Sequence, residues 1–528
     1  MPLLDRVRTV VGLGRRAATA VRDVGALHPV RPDRAVRLPF VYRRFGPVPA
    51  TVGAMAALRF PNRTALIDER GTLTYAELER RAAGLATALR ARVAEDGTIG
   101  VLCRNHRGFV EAALAASRLG NDVVLLNTDF SGPQLGRVAE REKLALLIHD
   151  EEFDQVVDEA SFTGHRVHAW RDGSGPHETL DELAGARPET PRPARHSRVI
   201  LMTSGTTGTP KGARHDLSIG TILPVALTHT MRVPVRSGAP MVIGPPLFHV
   251  LGFAYLSAGL ALGAPLVLLR RFDAKRVLEA IERFRAETLI AVPVMLQRLL
   301  DALDGPRPTS LRVVVCGGSA LHPHLCEAFM DAFGDVIHNV YGATETGWAT
   351  IATPRDLRER PGTVGRPSLG VRLRILDEHG EEVPAGKTGE IYTGGGLRFA
   401  GYTGGGARPV RDGLVATGDL GHVDERGRLF VDGRADDMIV SGGENVFPGE
   451  VEDLLGAHPG VAEVSVGGVE DERFGQRLAA YVVRAPGATV TEDDLKNHVR
   501  SHLARYKVPR DVHFVDALPR TSTGKVKR

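Results

Sequence analysis

The densest concentration of groups able to do chemistry runs from Thr203 to Gly212. Thr203, Ser204, Gly205, Thr206, Thr207, Gly208, Thr209, Pro210, Lys211 and Gly212 supply five hydroxyls, three Gly and one Lys in ten residues. A Gly-rich turn of this kind presents hydroxyl and backbone N–H donors to polyphosphate oxygens, and the Lys adds a fixed positive charge. The pattern is not the G-x-x-x-x-G-K-[ST] phosphate loop, because Lys211 lies three residues beyond Gly208 and Gly212 follows it. A Ser/Thr/Gly linker is the plain alternative, but a linker has no reason to follow the strand-like apolar run 199–202 or to end in Pro-Lys-Gly.

Four further clusters follow in order. They are Tyr341-Gly342-Ala343-Thr344-Glu345-Thr346, Thr417-Gly418-Asp419, Gly433-Arg434, and Pro519-Arg520-Thr521-Ser522-Thr523-Gly524-Lys525. Together with the hydroxyl-rich turn they resemble the signature of the adenylate-forming superfamily, which includes acyl-CoA synthetases, luciferase-type enzymes and nonribosomal-peptide adenylation domains. The resemblance covers the chain from about residue 50 onward, and five ordered matches make it specific. It implies an ATP-dependent acid–thiol ligase: a carboxylate attacks the α-phosphate of ATP, pyrophosphate leaves, and the acyl-adenylate passes its acyl group to coenzyme A. A carboxylate is a poor electrophile with a poor leaving group, so the chemistry needs cations around the phosphates, including Mg²⁺.

The resemblance also assigns roles. Glu345 matches the Mg²⁺-holding acid and Thr344 the α-phosphate contact. Tyr341 and Gly342 match the adenine-stacking segment, with Gly317, Gly318 and Ser319 as the nucleobase wall. Asp419 matches the acceptor for the ribose hydroxyls and Arg434 its basic partner. Lys525 matches the lysine bridging substrate carboxylate and α-phosphate, a point charge on a flexible stem. Asp436 matches the hinge about which the C-terminal domain swings, and Gly442 and Gly443 match the pantetheine tunnel. Outside these motifs a lone Glu or a tail Lys would be read as solvated charge.

The acid pocket opens at Pro246-Leu247-Phe248-His249-Val250-Leu251-Gly252. Amino-acid-activating relatives carry an Asp in this region for the substrate ammonium; here Phe248, His249 and Gly252 stand in apolar surroundings. A medium- or long-chain fatty acid is the leading expectation, with an aryl acid as the alternative. An acyl-AMP ligase loading a carrier-protein thiol, an oxidative luciferase-like enzyme and a non-catalytic acyl or nucleotide sensor are the competing readings. The chain stops three residues past Lys525, which predicts a weakly anchored lysine.

These motifs need a scaffold. Apolar runs at 65–68, 99–103, 123–126 and 145–149 alternate with helical patterns, the first helix spanning 75–92 behind a Thr74/Glu77 capping box. The fold class is therefore α/β: a large N-terminal domain of parallel β-α layers plus a β-rich subdomain (371–376, 389–393, 428–431), and a small mobile α+β C-terminal domain. The expected divisions are a basic extension over 1–47, an AMP-binding domain over 48–433 and a C-terminal domain over 434–528. In the last, helices are expected at 450–457 and 492–503, with strands at 461–466, 478–483 and 512–514.

Composition narrows the classes. Hydrophobic content of 43% and charged content of 25% belong to a globular chain. Three Cys without C-x-x-C spacing argue against a disulfide framework and fit a cytoplasmic enzyme. Residues 1–50 carry ten Arg against three Asp. The stripe Leu3, Leu4, Val7, Val10, Val11, Ala18 and Val21 at helical spacing could rest this basic segment on an anionic membrane, or pack it on the enzyme body. Pro29, Pro32, Pro39, Pro47 and Pro49 suggest an extended connector behind it. No basic recognition helix or aromatic ladder supports nucleic-acid binding. The uncharged stretch 237–269 is broken by Pro240, Pro245, Pro246 and Pro265, so it reads as strand, turn and buried helix, not as a membrane span. Nothing here fixes an oligomeric state.

Overall fold

The computed structural model describes residues 14, 17–25, 29–189, 192–202, 211–216, 218–395, 398–403, 405–406, 408–441, 444–471, 475–521 and 525–526. The side chains of 215, 216, 219, 398, 440, 441, 444, 445 and 475 lie outside that description. The expected N-terminal stripe falls mostly outside it, as do the hydroxyl-rich turn 203–210 and Gly442 and Gly443.

Among the described residues the strands form sheets of 14, 7 and 5. Apolar runs flanked by amphipathic helices bury both sheet faces, and the first two sheets are accordingly parallel through their centres. In the largest sheet, Thr64–Asp68, Leu266–Leu268, Met241–Ile243, Thr288–Ala291, Val313–Gly317 and Ile337–Ala343 run parallel. The chain then turns back through Gly347–Ala352, and the β-rich stretch continues the same sheet antiparallel through Thr363–Pro367, Leu429–Arg434, Leu414–Val423, Gly389–Gly394 and Arg372–Leu376. The second sheet runs, in spatial order, Arg398–Tyr402, Gly212–Asp216, Val199–Met202, Asp122–Leu125, Thr98–Leu102, Leu144–Asp150 and His165–Trp170. The third gathers Glu444–Val446, Ile439–Ser441, Gly475–Arg484, Val461–Asp471 and Asp511–Phe514.

Helices Tyr75–Leu89 and Arg107–Leu119 fill the space against the first two sheets. The Thr74 capping box forms: Glu77 N–H donates to Thr74 Oγ1 at 3.2 Å, and Thr74 N–H donates to Glu77 Oε2 at 2.7 Å. Glu111 is 1% exposed and receives both Nε and Nη2 of Arg81, at 2.5 and 3.1 Å. A buried carboxylate is tolerated because this fork satisfies it. Asp68 holds Arg107 in the same way.

The proline-rich stretch departs from expectation. Instead of an extended connector, the structure has helices Pro32–Ala35, Leu38–Phe45 and Pro49–Arg59. Pro32, Pro39 and Pro49 occupy the first or second helical position, where a missing N–H costs nothing because that donor has no intrahelical partner. The apolar stretch is helix Val250–Ala261 between strands Met241–Ile243 and Leu266–Leu268, all in the core. No described helix is long and apolar enough to cross a membrane.

Candidate active site

Four structural junctions bring the motifs together. Strand Val199–Met202 leads into the hydroxyl-rich turn, and Gly212–Asp216 leads out of it, with Met202 paired to Gly212. Lys211, at the exit, lies over the Tyr402 ring with Nζ 5.5 Å from its centroid. Tyr402 ends strand Arg398–Tyr402, which pairs with Gly212–Asp216. Thr403 fastens the pair: its Oγ1 accepts from Gly212 N–H at 3.0 Å and its N–H donates to Gly212 O at 2.8 Å. A Cβ on Gly212 would lie 2.6 Å from Thr403 Oγ1, so only Gly permits this approach.

Thr344 and Glu345 occupy the turn between strands Ile337–Ala343 and Gly347–Ala352. Thr346 closes it, its Oγ1 accepting from Ala343 N–H at 3.2 Å. Glu345 is 7% exposed. The Tyr402 hydroxyl donates to its Oε1, and Arg408 Nε lies 3.6 Å from the same oxygen and donates to the Tyr402 oxygen at 3.3 Å. Burial and the Glu345 charge push the Tyr402 phenol up to about 12, so it stays a donor. Gly342 lies against the opposing strand; a Cβ there would overlap Gly347 O.

The ribose-site candidates sit at one edge of this hairpin. Tyr341 Oη donates to Asp419 Oδ2 at 2.7 Å, and Arg434 Nη1 lies 3.2 Å from Asp419 Oδ1. Burial raises Asp419 above the usual carboxylate range, against the opposing pull of Tyr341, Arg434 and Lys525. Arg434 also holds Asp436, with Nε 3.0 Å from Oδ1, and Ala435 N–H donates to Gly418 O at 3.0 Å. Gly418 has φ +77°, and a Cβ would meet Arg408 Nη1 at 2.9 Å and Arg434 Nη2 at 3.4 Å. Two guanidinium groups therefore converge over one glycine. Gly317 ends strand Val313–Gly317 against Val340 O, Gly318 turns the chain with φ +88°, and Ser319 follows half-buried.

His249 caps helix Val250–Ala261 beside Phe248, the ring centroids 4.5 Å apart. Asn105 shapes the turn that presents them: its Nδ2 donates to Pro245 O at 2.9 Å and its Oδ1 accepts from Leu247 N–H at 2.8 Å. Gly252 lets the helix pack on that turn, since a Cβ would lie 2.3 Å from Pro246 O. His249 Nε2 is buried without a hydrogen-bond partner. Burial, and then the Lys525 charge, hold this imidazole down to about 3.

Lys525 completes the convergence. It closes a turn with Thr521, whose N–H donates to Lys525 O at 2.8 Å and whose Oγ1 accepts from Lys525 N–H at 3.2 Å; Arg520 bridges to Val526 across it. Far from hanging loose, the lysine is tied at both sides. Its residue is exposed, yet protein atoms crowd the ammonium enough that desolvation and Arg434 lower its pKa, with Asp419, Asp437 and Glu345 pulling the other way. Lys525 thus lies within charge range of Glu345, Asp419, Arg434 and His249, residues 91 to 276 positions away.

The chain's own match follows this geometry. Residues 54–403 match the AMP-binding enzyme family and residues 450–525 its C-terminal domain. The chain belongs to the AMP-binding enzymes. It is an AMP-forming acid–thiol ligase whose co-substrates and cofactor are ATP, coenzyme A and Mg²⁺. It is 34% identical over 475 residues to a feruloyl-CoA synthase of Amycolatopsis, covering 88% of this chain and 94% of that one. A fatty acid–[acyl-carrier-protein] ligase of Streptomyces coeruleorubidus is 31% identical over 89% of this chain and 92% of its own. The o-succinylbenzoate CoA synthetase of Bacillus subtilis, solved with its acyl-adenylate, superposes with a TM-score of 0.79 at 30% identity, covering 90% and 96% of the two chains.

The residues fit Mg²⁺. The turn between strands Ile337–Ala343 and Gly347–Ala352 offers a buried carboxylate, Glu345, and Mg²⁺ characteristically takes one or two carboxylates with substrate phosphates and water completing its shell. Tyr402, Arg408, Asn105 and Thr403 contact the candidate site residues and were missed by sequence reasoning. The signal available was slight: an aromatic and an Arg inside a Gly-rich loop, and an Asn after a strand. Two surface clefts share none of the site residues. One, of about 660 Å³, is lined by Arg232, His338 and Arg358 among others; the other, of about 450 Å³, by Trp170, Arg270 and Arg276 among others.

Proposed function

We propose that this AMP-binding enzyme is an aryl-CoA ligase: it adenylates an aromatic or aryl-alkanoic acid and transfers the acyl group to coenzyme A. The observation that carries the adenylation step is the approach of Lys525 to Glu345, Asp419, Arg434 and His249. In this reading the Lys525 ammonium spans the substrate carboxylate and the α-phosphate, holding the attacking oxygen in line while negative charge builds on phosphorus. Lys211, Thr344 and the turn 203–208 bind the phosphates. Tyr402 and Arg408 fix the Glu345 carboxylate, which would hold Mg²⁺; bound there, the ion would supply neutralising charge for the phosphates. Asp419 accepts the ribose hydroxyls while Arg434 keeps it oriented. The C-terminal domain, 434–528, then pivots at Asp436 to bring Gly442 and Gly443 toward the thiol, whose attack on the acyl carbonyl releases AMP.

The aryl reading replaces the fatty acid favoured by the sequence. Ferulate and succinylbenzoate are the aromatic acids named for two of the relatives above. An aromatic cluster that includes Tyr255, on the helix that follows His249, supports it. His229 stacks on Trp348 with centroids 5.2 Å apart and planes at 25°, and its Nε2 lies 2.5 Å from Tyr255 Oη. Tyr255 shares the helix that His249 caps, and Trp348 follows the Glu345 turn. In this reading the cluster lines the acid pocket, where a rigid aromatic surface favours a flat ring by offset stacking over a long flexible chain.

ATP–pyrophosphate exchange over a panel of cinnamic, benzoic, aryl-acetic and fatty acids, followed by coenzyme A or a holo-carrier protein, tests both steps. Exchange fastest with aryl acids and thioester formation on coenzyme A support the proposal. Preference for fatty acids would return it to the fatty-acyl-CoA ligase reading, and transfer to the carrier alone to the acyl-AMP ligase reading.

A further inference from the structure

Away from the adenylation site, at the opposite edge of the second sheet, lies a cluster that adenylation does not use. Strands Leu144–Asp150 and His165–Trp170 run parallel, with His149 directly opposite His168. The loop after the edge strand returns so that His168 N–H donates to Glu178 O at 2.9 Å, which sets His177 beside the pair. Asp154 begins helix Asp154–Glu159 over the same spot.

One donor atom from each of His149, Asp154 and His168 lies within 4.8 Å of the others. His168 Nε2 is 2.8 Å and His149 Nδ1 is 3.5 Å from Asp154 Oδ1. Both histidines are 0% exposed; His149 Nδ1 donates to Asp150 O at 3.1 Å and His168 Nε2 faces Asp154, while the other nitrogen of each ring, Nε2 of His149 and Nδ1 of His168, is buried with no hydrogen-bond partner and so is free for an ion. The three rings meet edge-on, with centroids 4.9 Å (His149–His168), 5.1 Å (His168–His177) and 6.4 Å (His149–His177) apart. Metal–nitrogen bonds of about 2.0–2.1 Å place tetrahedral imidazole centroids roughly 5 Å apart. Two of the three separations already match.

The neighbouring group Cys103, His106 and Asp150 shows the contrast. There His106 spends both nitrogens, Nε2 on Asp150 at 2.8 Å and Nδ1 on Gly108 N–H at 3.0 Å. It has nothing left to offer a metal.

We propose that His149, His168, His177 and Asp154 form a structural site for a borderline divalent ion, Zn²⁺ above all, that clips the edge strand and its returning loop to the sheet. Three imidazoles and a carboxylate are the donors such ions prefer. Entry is open, because the Asp154 side chain is 38% exposed and His177 is half-exposed at the surface.

The test uses the full chain, free of any polyhistidine tag and stripped with chelator. Co²⁺ titration should saturate at one equivalent with the strong visible bands of four-coordinate cobalt, and Zn²⁺ should displace it. Zn²⁺ should raise Tm by several degrees at about a hundredfold excess over Kd. His177→Gln and Asp154→Asn, both at the surface and so compatible with folding, should each weaken Zn²⁺ by about tenfold or more and leave ATP–pyrophosphate exchange unchanged. His168→Gln should abolish binding. No cobalt bands and no Tm shift would overturn the proposal, and so would binding that survives both surface variants, since the ion would then be held elsewhere, for example near the clustered rings of His458, His498 and His502.

Discussion

Replacing Lys525 by Ala should separate the two half-reactions. The ammonium lies among Glu345, Asp419, Asp437, Arg434 and His249, in a site that is neither bulk water nor dry interior. At an effective dielectric of about 20, a unit charge roughly 4 Å from developing negative charge contributes about 4 kcal/mol. Deletions of a single preorganised donor to a transition-state charge cost about 2.7–4 kcal/mol, or about 10²–10³ in rate. Lys525→Ala should therefore lower ATP–pyrophosphate exchange by about 10²–10³, with the loss in kcat more than in KM for the acid. Thioester formation from supplied acyl-adenylate and coenzyme A should stay within about threefold of the parent, because that step has no pyrophosphate to expel and the lysine has swung away with its domain. Lys525→Arg should rescue only part of the loss, since a planar fork does not replace a point charge. Pyrophosphate exchange and single-turnover transfer, measured on the same preparation, decide the matter. Equal loss in both would refute the assignment and make Lys525 a fold-anchoring residue.

Other expectations follow from particular contacts. Tyr402→Phe removes a hydrogen bond to an ionised carboxylate, worth about 1.5–3 kcal/mol; it should raise the Mg²⁺ and MgATP concentrations needed for half-maximal exchange by about tenfold or more, and an unchanged metal dependence would separate Tyr402 from the Glu345 site. His249 is held near 3 by burial and Lys525, so it stays neutral from pH 5 to 9; His249→Gln should leave the shape of the pH–rate profile intact while changing KM for the acid, and an acid limb that vanishes in the variant would contradict this. Removing Arg81 by Arg81→Met strands the buried Glu111 carboxylate and should cost about 3–5 kcal/mol in denaturant unfolding, whereas a loss under 1 kcal/mol would mean that the pocket hydrates. Burial raises the Asp68 pKa, but the hydrogen bonds and charge of Arg107 outweigh it and the net shift is downward. Its contribution is therefore present above the unfolded carboxylate pKa of about 3.9 and lost as pH falls through the depressed folded value. Asp68→Asn should destabilise at pH 7 and progressively less below about pH 4, and a pH-independent difference would show that the pair acts by packing alone.

Much of this site was legible in the chain because its chemistry is carried by short, contiguous motifs. Tyr341 to Thr346 is the end of one hairpin strand and the turn that follows it, so its spacing survives as sequence; so does Thr417-Gly418-Asp419 inside strand Leu414–Val423. What escaped was carried by single residues whose meaning depends on a distant partner. Tyr402 and Arg408 have no local signature, yet one hydrogen bond from Tyr402 to Glu345, 57 residues earlier, makes them part of the proposed phosphate site. Asn105 works across 140 residues to shape the turn before His249. Local propensity failed in two instructive places. Prolines at 32, 39 and 49 read as breakers but serve as first-turn residues, because the same lost N–H that ends a helix costs nothing at its start. Gly467, Gly468 and the acids after them suggest that the strand ends near 466, but strand Val461–Asp471 runs on because Gly475–Arg484 pairs with it residue by residue to Asp471. In that hairpin the partner strand supplies the hydrogen bonds that no property of the glycines could have announced. The same logic explains why the His149, His168 and His177 cluster goes unnoticed in the sequence: its members are 19 and 9 residues apart, a spacing that means nothing until parallel pairing sets the first two side by side and a returning loop delivers the third.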